Sequence, residues 1–274
     1  MRFSKVHGLG NDFLIFEDDG NGRDWSAAAQ DVCRRRLAVG ADGIMIVLPS
    51  EIADIRMRII NADGSEAEMC GNGIRCFAKY VYEKGIVDKK NMTVETLAGI
   101  IRPGLIETDG VVTQIGVDMG KPDFDRAAIP MSGNGSALDV QIDVLGAQRS
   151  VSSLLMGVPH TVVITDDIDT DEPANLGPLI EKHDVFPRNT NVNFVQVMDK
   201  DNIRMRTWER GAGLTMACGT GACASVVALC ELGMLNRKAT VHLEAGVLVI
   251  EYLGDGRVMM TGPATLVYEA ELSE

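Results

Sequence analysis

At 274 residues, 46% hydrophobic and 24% charged, the chain is long enough for two cores of roughly 100–150 residues each and has the composition of a globular protein, which excludes disordered and fibrous classes. A formal charge of −13 with only 5% aromatic residues excludes a basic, base-stacking surface, so nucleic acid is not an expected partner. Residues Met1-Arg2-Phe3-Ser4-Lys5-Val6-His7-Gly8 form no apolar leader and no run of about 18 apolar residues follows, so a cytoplasmic protein outside the membrane is expected.

In chain order, strands are predicted at Arg2–Val6 and Asp12–Phe16, then a peripheral helix over Ser26–Ala38. Apolar or alternating runs predict strands at Ile44–Leu48 and Ile55–Ile60, and a helix from about Asn72 to Lys84 stops at Gly85, where a glycine C-cap belongs. Strands follow at Met92–Thr96 and Val111–Val117. Asp118-Met119-Gly120-Lys121-Pro122 and Met131-Ser132-Gly133-Asn134-Gly135-Ser136 then suggest a linker near residues 118–136. The second half reads as strands at Leu138–Val144 and Thr161–Ile164, a helix over Pro173–His183, and strands at Val192–Val197 and Ile203–Trp208. A helix from about Thr220 to Leu232 stops at Gly233, and its Ala222–Leu229 stretch is apolar on nearly every face, so sheet should wrap it. Strands at Thr240–Glu244, Val247–Tyr252 and Thr265–Ala270 close the chain.

These halves repeat. Ile55-Arg56-Met57-Arg58 recurs 148 residues later as Ile203-Arg204-Met205-Arg206, and Cys70-Gly71-Asn72-Gly73 recurs at the same offset as Cys218-Gly219-Thr220-Gly221. Two matches in one register argue for duplication, and hence for two similar domains with a cleft between them.

Of six cysteines, Cys33, Cys76, Cys223 and Cys230 are read as small buried hydrophobes. No secretion signal favours a disulfide scaffold, and the spacings, six between Cys70 and Cys76 and five between Cys218 and Cys223, are not those of a zinc site. Cys70 and Cys218 differ because each stands at a helix start behind a glycine turn. There the helix dipole and unpaired amides favour a thiolate, and the amides of residues 71–73 and 219–221 can face a carboxylate. Removing the α-proton of an amino acid puts charge into its carboxylate, which such donors stabilise, and stereoinversion needs a base on one face of the carbon and an acid on the other. Two thiols of tuned pKa serve both directions. Gly219-Thr220-Gly221-Ala222-Cys223-Ala224 also fits a dinucleotide fingerprint, the mark of a nicotinamide or flavin enzyme. That reading is the weaker one, because Gly211-Ala212-Gly213-Leu214 separates the motif from its strand and Cys76 holds the third small position in the first copy.

The sequence resembles the diaminopimelate epimerase family from His7-Gly8-Leu9-Gly10-Asn11-Asp12-Phe13 to its last strand. The likeness is densest at Asn61-Ala62-Asp63-Gly64-Ser65, Met69–Cys76, Asn191-Val192-Asn193-Phe194, Glu209–Gly213 and Ala217–Cys223. The resemblance implies an α+β fold of two homologous domains related by a pseudo-twofold, each a curved, mostly antiparallel, barrel-like sheet around a central helix, with the active site in the interdomain cleft. It implies a domain of residues 1–118 plus 264–274 carrying Cys70 and one of residues 119–263 carrying Cys218. The implied reaction interconverts LL- and meso-diaminopimelate, with Cys70 and Cys218 as acid and base and neither pyridoxal nor metal as cofactor. Gly71, Asn72, Gly219 and Thr220 would hold the reacting carboxylate through their amides. Asn11, Asn61, Asn191, Glu209 and Arg210 would bind the distal amino-acid group, where Arg210 suits a carboxylate and Glu209 an ammonium. His160 resembles a family histidine near the cysteines, in support. The expected partner is a small-molecule amino-acid substrate, and a homodimer is admitted but not fixed by the sequence. Two departures bear on the substrate: Val158 stands where the family usually has asparagine, and Gly43 where many members have glutamine. They leave a racemase of another amino acid, such as histidine, as the alternative.

Overall fold

The computed structural model of the protein describes residues 1–272. In chain order its elements are β1 (Arg2–Gly8), β2 (Asn11–Glu17), α1 (Trp25–Val32), β3 (Gly43–Leu48), β4 (Ile55–Asn61), β5 (Glu66–Ala67), α2 (Gly71–Glu83), β6 (Val94–Thr96), β7 (Gly99–Ile101), β8 (Gly104–Thr108) and β9 (Val111–Asp118). They continue as β10 (Val140–Val144), β11 (Ala147–Met156), β12 (Val158–Ile164), α3 (Glu172–Glu181), β13 (Asn191–Val197), β14 (Asn202–Glu209), β15 (Gly213–Thr215), α4 (Gly219–Glu231), β16 (Lys238–Leu243), β17 (Gly246–Tyr252), β18 (Val258–Gly262) and β19 (Thr265–Glu271). The chain forms two compact units, Met1–Val117 with the segment from Gly262 onward, and Asp118–Thr261.

Both units carry the same pairing pattern. In the first, the order is β19-β1-β2-β3-β4-β6-β7 with β5 beside β4, and only β2–β3 and β4–β6 run parallel. In the second, the order β10-β11-β12-β13-β14-β16-β17-β18 has β15 beside β14, and only β12–β13 and β14–β16 run parallel. Strand for strand, β1–β7 correspond to β11–β17. The expected class, sheet-rich α+β in two mostly antiparallel halves, is what the elements form.

Each repeat places one 13-residue helix directly after its cysteine. In the second unit, α4 touches β11, β12, β13, β16 and β17. Strands lie about 4.8 Å apart and a helix is about 10 Å wide, so one helix reaches both ends of that series only if the sheet curls around it. The apolar stretch within α4 explains why: residues 221–229 are all buried. Both helices end alike. Gly85 (φ +66°) and Gly233 (φ +69°) take the left-handed conformation that a side chain resists, and their amides bond Tyr82 O and Cys230 O, while Ile86 and Met234 bond Val81 O and Leu229 O.

Three expectations shift. The segment 118–136 is not a bare linker: Ile129 and Met131 enter the core of the second unit, and Asp123 and Asp125 form β-bridges to Leu155 and Ser136. The first helix ends at Val32, earlier than expected, because Arg35 turns away to pair with Asp12 and Asp42 and the amide of Ala41 bonds Cys33 O. The 10-residue β11 escapes the periodicity signal, since its first half is polar and Ser152 and Ser153 are buried inside the sheet.

Candidate active site

Cys70 is the N-cap of α2, with extended backbone (φ −138°, ψ 121°), and the Gly73 amide donates to its Sγ at 3.4 Å. A thiol at an N-cap thus takes up one of the helix's orphan donors. The half-buried Cys70 Sγ donates in turn to Asn11 Oδ1 at 3.4 Å, the same oxygen that Asn72 Nδ2 reaches at 3.4 Å. Asn11 cannot turn its amide around, because its Nδ2 donates to Asp42 Oδ2 at 2.8 Å and a carboxylate only accepts. Asp42 is itself held by the Asp12 amide and by Arg35, which also bonds Asp12; Lys5 bonds Asp12 and Gly40 O. Burial works against ionising Asp12, yet hydrogen bonds from Arg35 and Lys5 hold its carboxyl below the usual range.

Asn61 ends β4 opposite Gly43 and donates to Ser65 Oγ at 3.0 Å. A Cβ on residue 43 would lie 2.6 Å from Ile60 O, so the departure at Gly43 is a packing requirement of this strand pair. Val158, the other departure, begins β12 and is 38% exposed, free of any core role.

In the second unit Cys218 caps α4 with the same extended backbone (φ −126°, ψ 108°). Its surroundings differ. Cys218 is 5% exposed, its Sγ lies 3.6 Å from Thr220 Oγ1, and burial followed by the Glu209 carboxylate pushes its thiol pKa well up. Thr215 Oγ1 donates to Glu209 Oε1 at 2.6 Å. Asn191 is buried: its Oδ1 accepts from the Arg210 amide at 2.9 Å and its Nδ2 donates to Pro159 O at 3.0 Å. The exposed Arg210 guanidinium bonds Arg188 O. His160 is fully buried, and burial, then the Arg210 charge, lower its pKa to about 3, so it stays neutral. Asn193 Oδ1 accepts from Thr207 Oγ1 at 3.1 Å, which turns Asn193 Nδ2 toward His160 Nδ1 at 3.2 Å and leaves the ring proton on Nε2.

Within the first unit, then, Cys70, Asn11 and Asn72 share one cluster, with Gly71 beside them in the turn. Within the second, Cys218, Thr220 and Glu209 meet, and Asn191 holds Arg210. Asp42, Asn193 and Thr207 carry this architecture without having been singled out from the sequence. Asn191 and Asn193 at i and i+2 in an apolar strand were a legible signal, since two amides on one buried face need partners. Among the described residues no group of three or more His, Cys, Asp or Glu side chains could hold a metal ion. No helix among them is long and apolar enough to cross a membrane.

The sequence model described as "Diaminopimelate epimerase" matches residues 3–124 and 152–267. A diaminopimelate epimerase of Moorella thermoacetica is 52% identical over 275 residues, covering 99% of both chains, and one of Caldanaerobacter subterraneus subsp. tengcongensis is 50% identical over 273 residues with 99% of both covered. Among solved structures, a PhzF-family phenazine biosynthesis protein of Bacillus anthracis shares the fold at TM-score 0.73 and 19% identity, covering 100% of this chain and 99% of its own. A probable proline racemase of Agrobacterium radiobacter does so at TM-score 0.70 and 18% identity, covering 99% and 92%.

Proposed function

Because this chain belongs to the diaminopimelate epimerase family, we propose that it interconverts LL- and meso-diaminopimelate by moving the α-proton between Cys70 and Cys218, in the biosynthesis of lysine and of peptidoglycan precursors. The observation that carries this reading is the duplicated cysteine N-cap, one at the start of α2 and one at the start of α4, in matched backbone conformations. One thiolate takes the proton, the opposite thiol returns one, and the charge that develops in the carboxylate is met by the helix-end amides of Gly71, Asn72, Gly219 and Thr220. Neither pyridoxal nor metal enters this scheme.

Asn11, Asn61, Asn191, Glu209 and Arg210 grip the distal amino-acid group, with His160 in support as a neutral donor. Asn11 is oriented for such a role by Asp42, and Asn191 ties the Arg210 backbone in place. The setting is the cytoplasm, where cysteines are kept as thiols. A homodimer is the assembly: β19 ends its sheet with Val267 and Tyr268 half exposed, an edge that a second copy can cover. Sedimentation at micromolar concentration checks that assembly.

The deciding assay follows LL- and meso-diaminopimelate by chiral chromatography in heavy water, beside lysine, histidine and proline. Inversion of one centre with deuterium at the α-carbon is expected for diaminopimelate. Turnover only of histidine or proline would sink the substrate assignment.

A further inference from the structure

Among the described residues the largest fully buried side chain is a cation, Arg75, in the second turn of α2. Burying a guanidinium is costly unless its N–H groups are met, and its rigid fork can tie together several acceptors as no apolar side chain could. Here Nη1 donates to Gly71 O at 3.0 Å, Nη2 to Asn72 Oδ1 at 3.0 Å, and Nε to Pro263 O at 3.2 Å. Two of these three acceptors belong to the turn whose amides the proposed reaction uses. The first turn of a helix is otherwise its loosest part, and Arg75 splints it against Pro263, the residue after Gly262 where the chain rejoins the first unit. Gly8 fits the same arrangement: a Cβ there would lie 3.0 Å from Asn72 O and 3.2 Å from Arg75 Nη2, so any side chain on β1 at this point would press on the splinted turn.

The duplication supplies the contrast. At the offset of 148 residues Arg75 becomes Cys223, fully buried, so the Gly219–Thr220 turn has no cation at this position. Around α2 the other titratable groups have contacts of their own. On β1 Arg2 pairs with Glu271 and Lys5 with Asp12, while His7 Nδ1 faces the Gly10 amide; on β2 Glu17 accepts from Tyr80; on β19 Glu269 bonds Lys84; and Asp42 takes Arg35.

We propose that Arg75 is a positioning residue of the reaction, whose buried guanidinium holds the Gly71–Asn72 turn in its carboxylate-binding form and sets a fixed positive charge behind it. The turn before α2 therefore carries more of the negative charge developing on the reacting carboxylate than does the turn before α4. This inference rests on the epimerase reading above.

The test compares Arg75→Lys, which keeps the charge but not the fork, with Arg75→Met, which keeps neither. For diaminopimelate the expected result is a fall in kcat in both directions, about tenfold for Arg75→Lys and up to about a hundredfold for Arg75→Met, with KM within about threefold of the parent. Deuterium exchange into the α-position should fall in step, because carbanion formation is the step affected. A residue that only held the fold together would lower the thermal midpoint and leave kcat of the folded enzyme alone. Parent-like kcat and exchange in folded Arg75→Lys, or a rise in KM with unchanged kcat, overturns the proposal. If Arg75→Met does not fold, Arg75→Gln replaces it and must fall below Arg75→Lys in kcat. A parent enzyme that exchanges no α-proton refutes the epimerase reading and this inference together, whereas an active parent with indifferent variants refutes the inference alone.

Discussion

Replacing Gly221 and Gly73 by alanine should have unequal consequences although the two positions are equivalent in the duplication. A Cβ on residue 221 would lie 2.3 Å from Asn193 Oδ1, and a Cβ on residue 73 would lie 3.3 Å from Met45 Sδ. Met45 and Asn193 are themselves one offset of 148 apart, so the same seat beneath the helix is filled by a pliable thioether in one unit and by a fixed amide in the other. Asn193 cannot step aside, because Thr207 and His160 bind its two ends and all three are buried. Overpacking there costs about 1–3 kcal/mol, and displacing each buried hydrogen bond about 1 kcal/mol more; alanine returns about 1 kcal/mol of helix propensity, leaving a net loss of about 2–4 kcal/mol for Gly221→Ala. For Gly73→Ala the propensity gain and the small strain on Met45 leave a change within about 1 kcal/mol of zero. Urea unfolding measures both. The chain has two tryptophans, Trp25 in the first unit and Trp208 in the second, so Trp25→Phe and Trp208→Phe backgrounds report each unit separately. If Gly221→Ala costs no more than Gly73→Ala, the reasoning from Asn193 is wrong.

Other consequences follow from the same network. His160, with a folded pKa of about 3 against an ordinary 6.5, stays unprotonated in the fold while the unfolded chain takes up a proton below pH 6.5, so stability falls on acidification through that window. The loss reaches about 2 kcal/mol at pH 5, and the difference between parent and His160→Gln urea midpoints should show it; a difference independent of pH would refute the buried neutral imidazole. Gly43→Gln forces a Cβ against Ile60 O and should cost about 1–3 kcal/mol, read as a lower thermal midpoint. A stable variant would show that β3 and β4 can separate. Asp42→Ala releases the Asn11 amide and should raise KM for diaminopimelate about tenfold with less change in kcat, whereas an unchanged KM would remove Asn11 from substrate binding.

What the sequence made legible was whatever repeats or caps locally. The matched Cys-Gly-x-Gly turns, the helices behind them and the glycines that stop those helices depend on residues within a few positions of one another, and the structure places them as expected. The polar scaffold was opaque for the opposite reason. Asp42 orients Asn11 across 31 residues of chain and Thr207 orients Asn193 across 14, and no local pattern announces partners at such range. Arg75 stands inside the Met69–Cys76 motif, yet nothing in the motif says that its side chain folds back onto Gly71 and Asn72. The segment 118–136 misled because its glycines and prolines look like a linker, while Ile129 and Met131, spaced among them, supply the burial that anchors it.

The divergence of the two copies has a chemical reason under the proposed reaction. Inverting one centre of diaminopimelate while sparing the other requires that the distal amino-acid group be gripped in one orientation, which calls for contacts that the two copies of the motif do not share. Matched positions that differ are therefore the ones able to break the tie. At the offset of 148, Asn61 becomes Glu209, Ala62 becomes Arg210 and Arg75 becomes Cys223, so the charged pair suited to an ammonium and a carboxylate belongs to the second unit and the buried cation behind the turn to the first. The backbone of the cysteine turn, which the proton transfer needs on both faces of the carbon, is kept alike in both copies. Duplication would thus supply the two thiols, and substitution at a few matched positions would supply the direction in which the substrate lies.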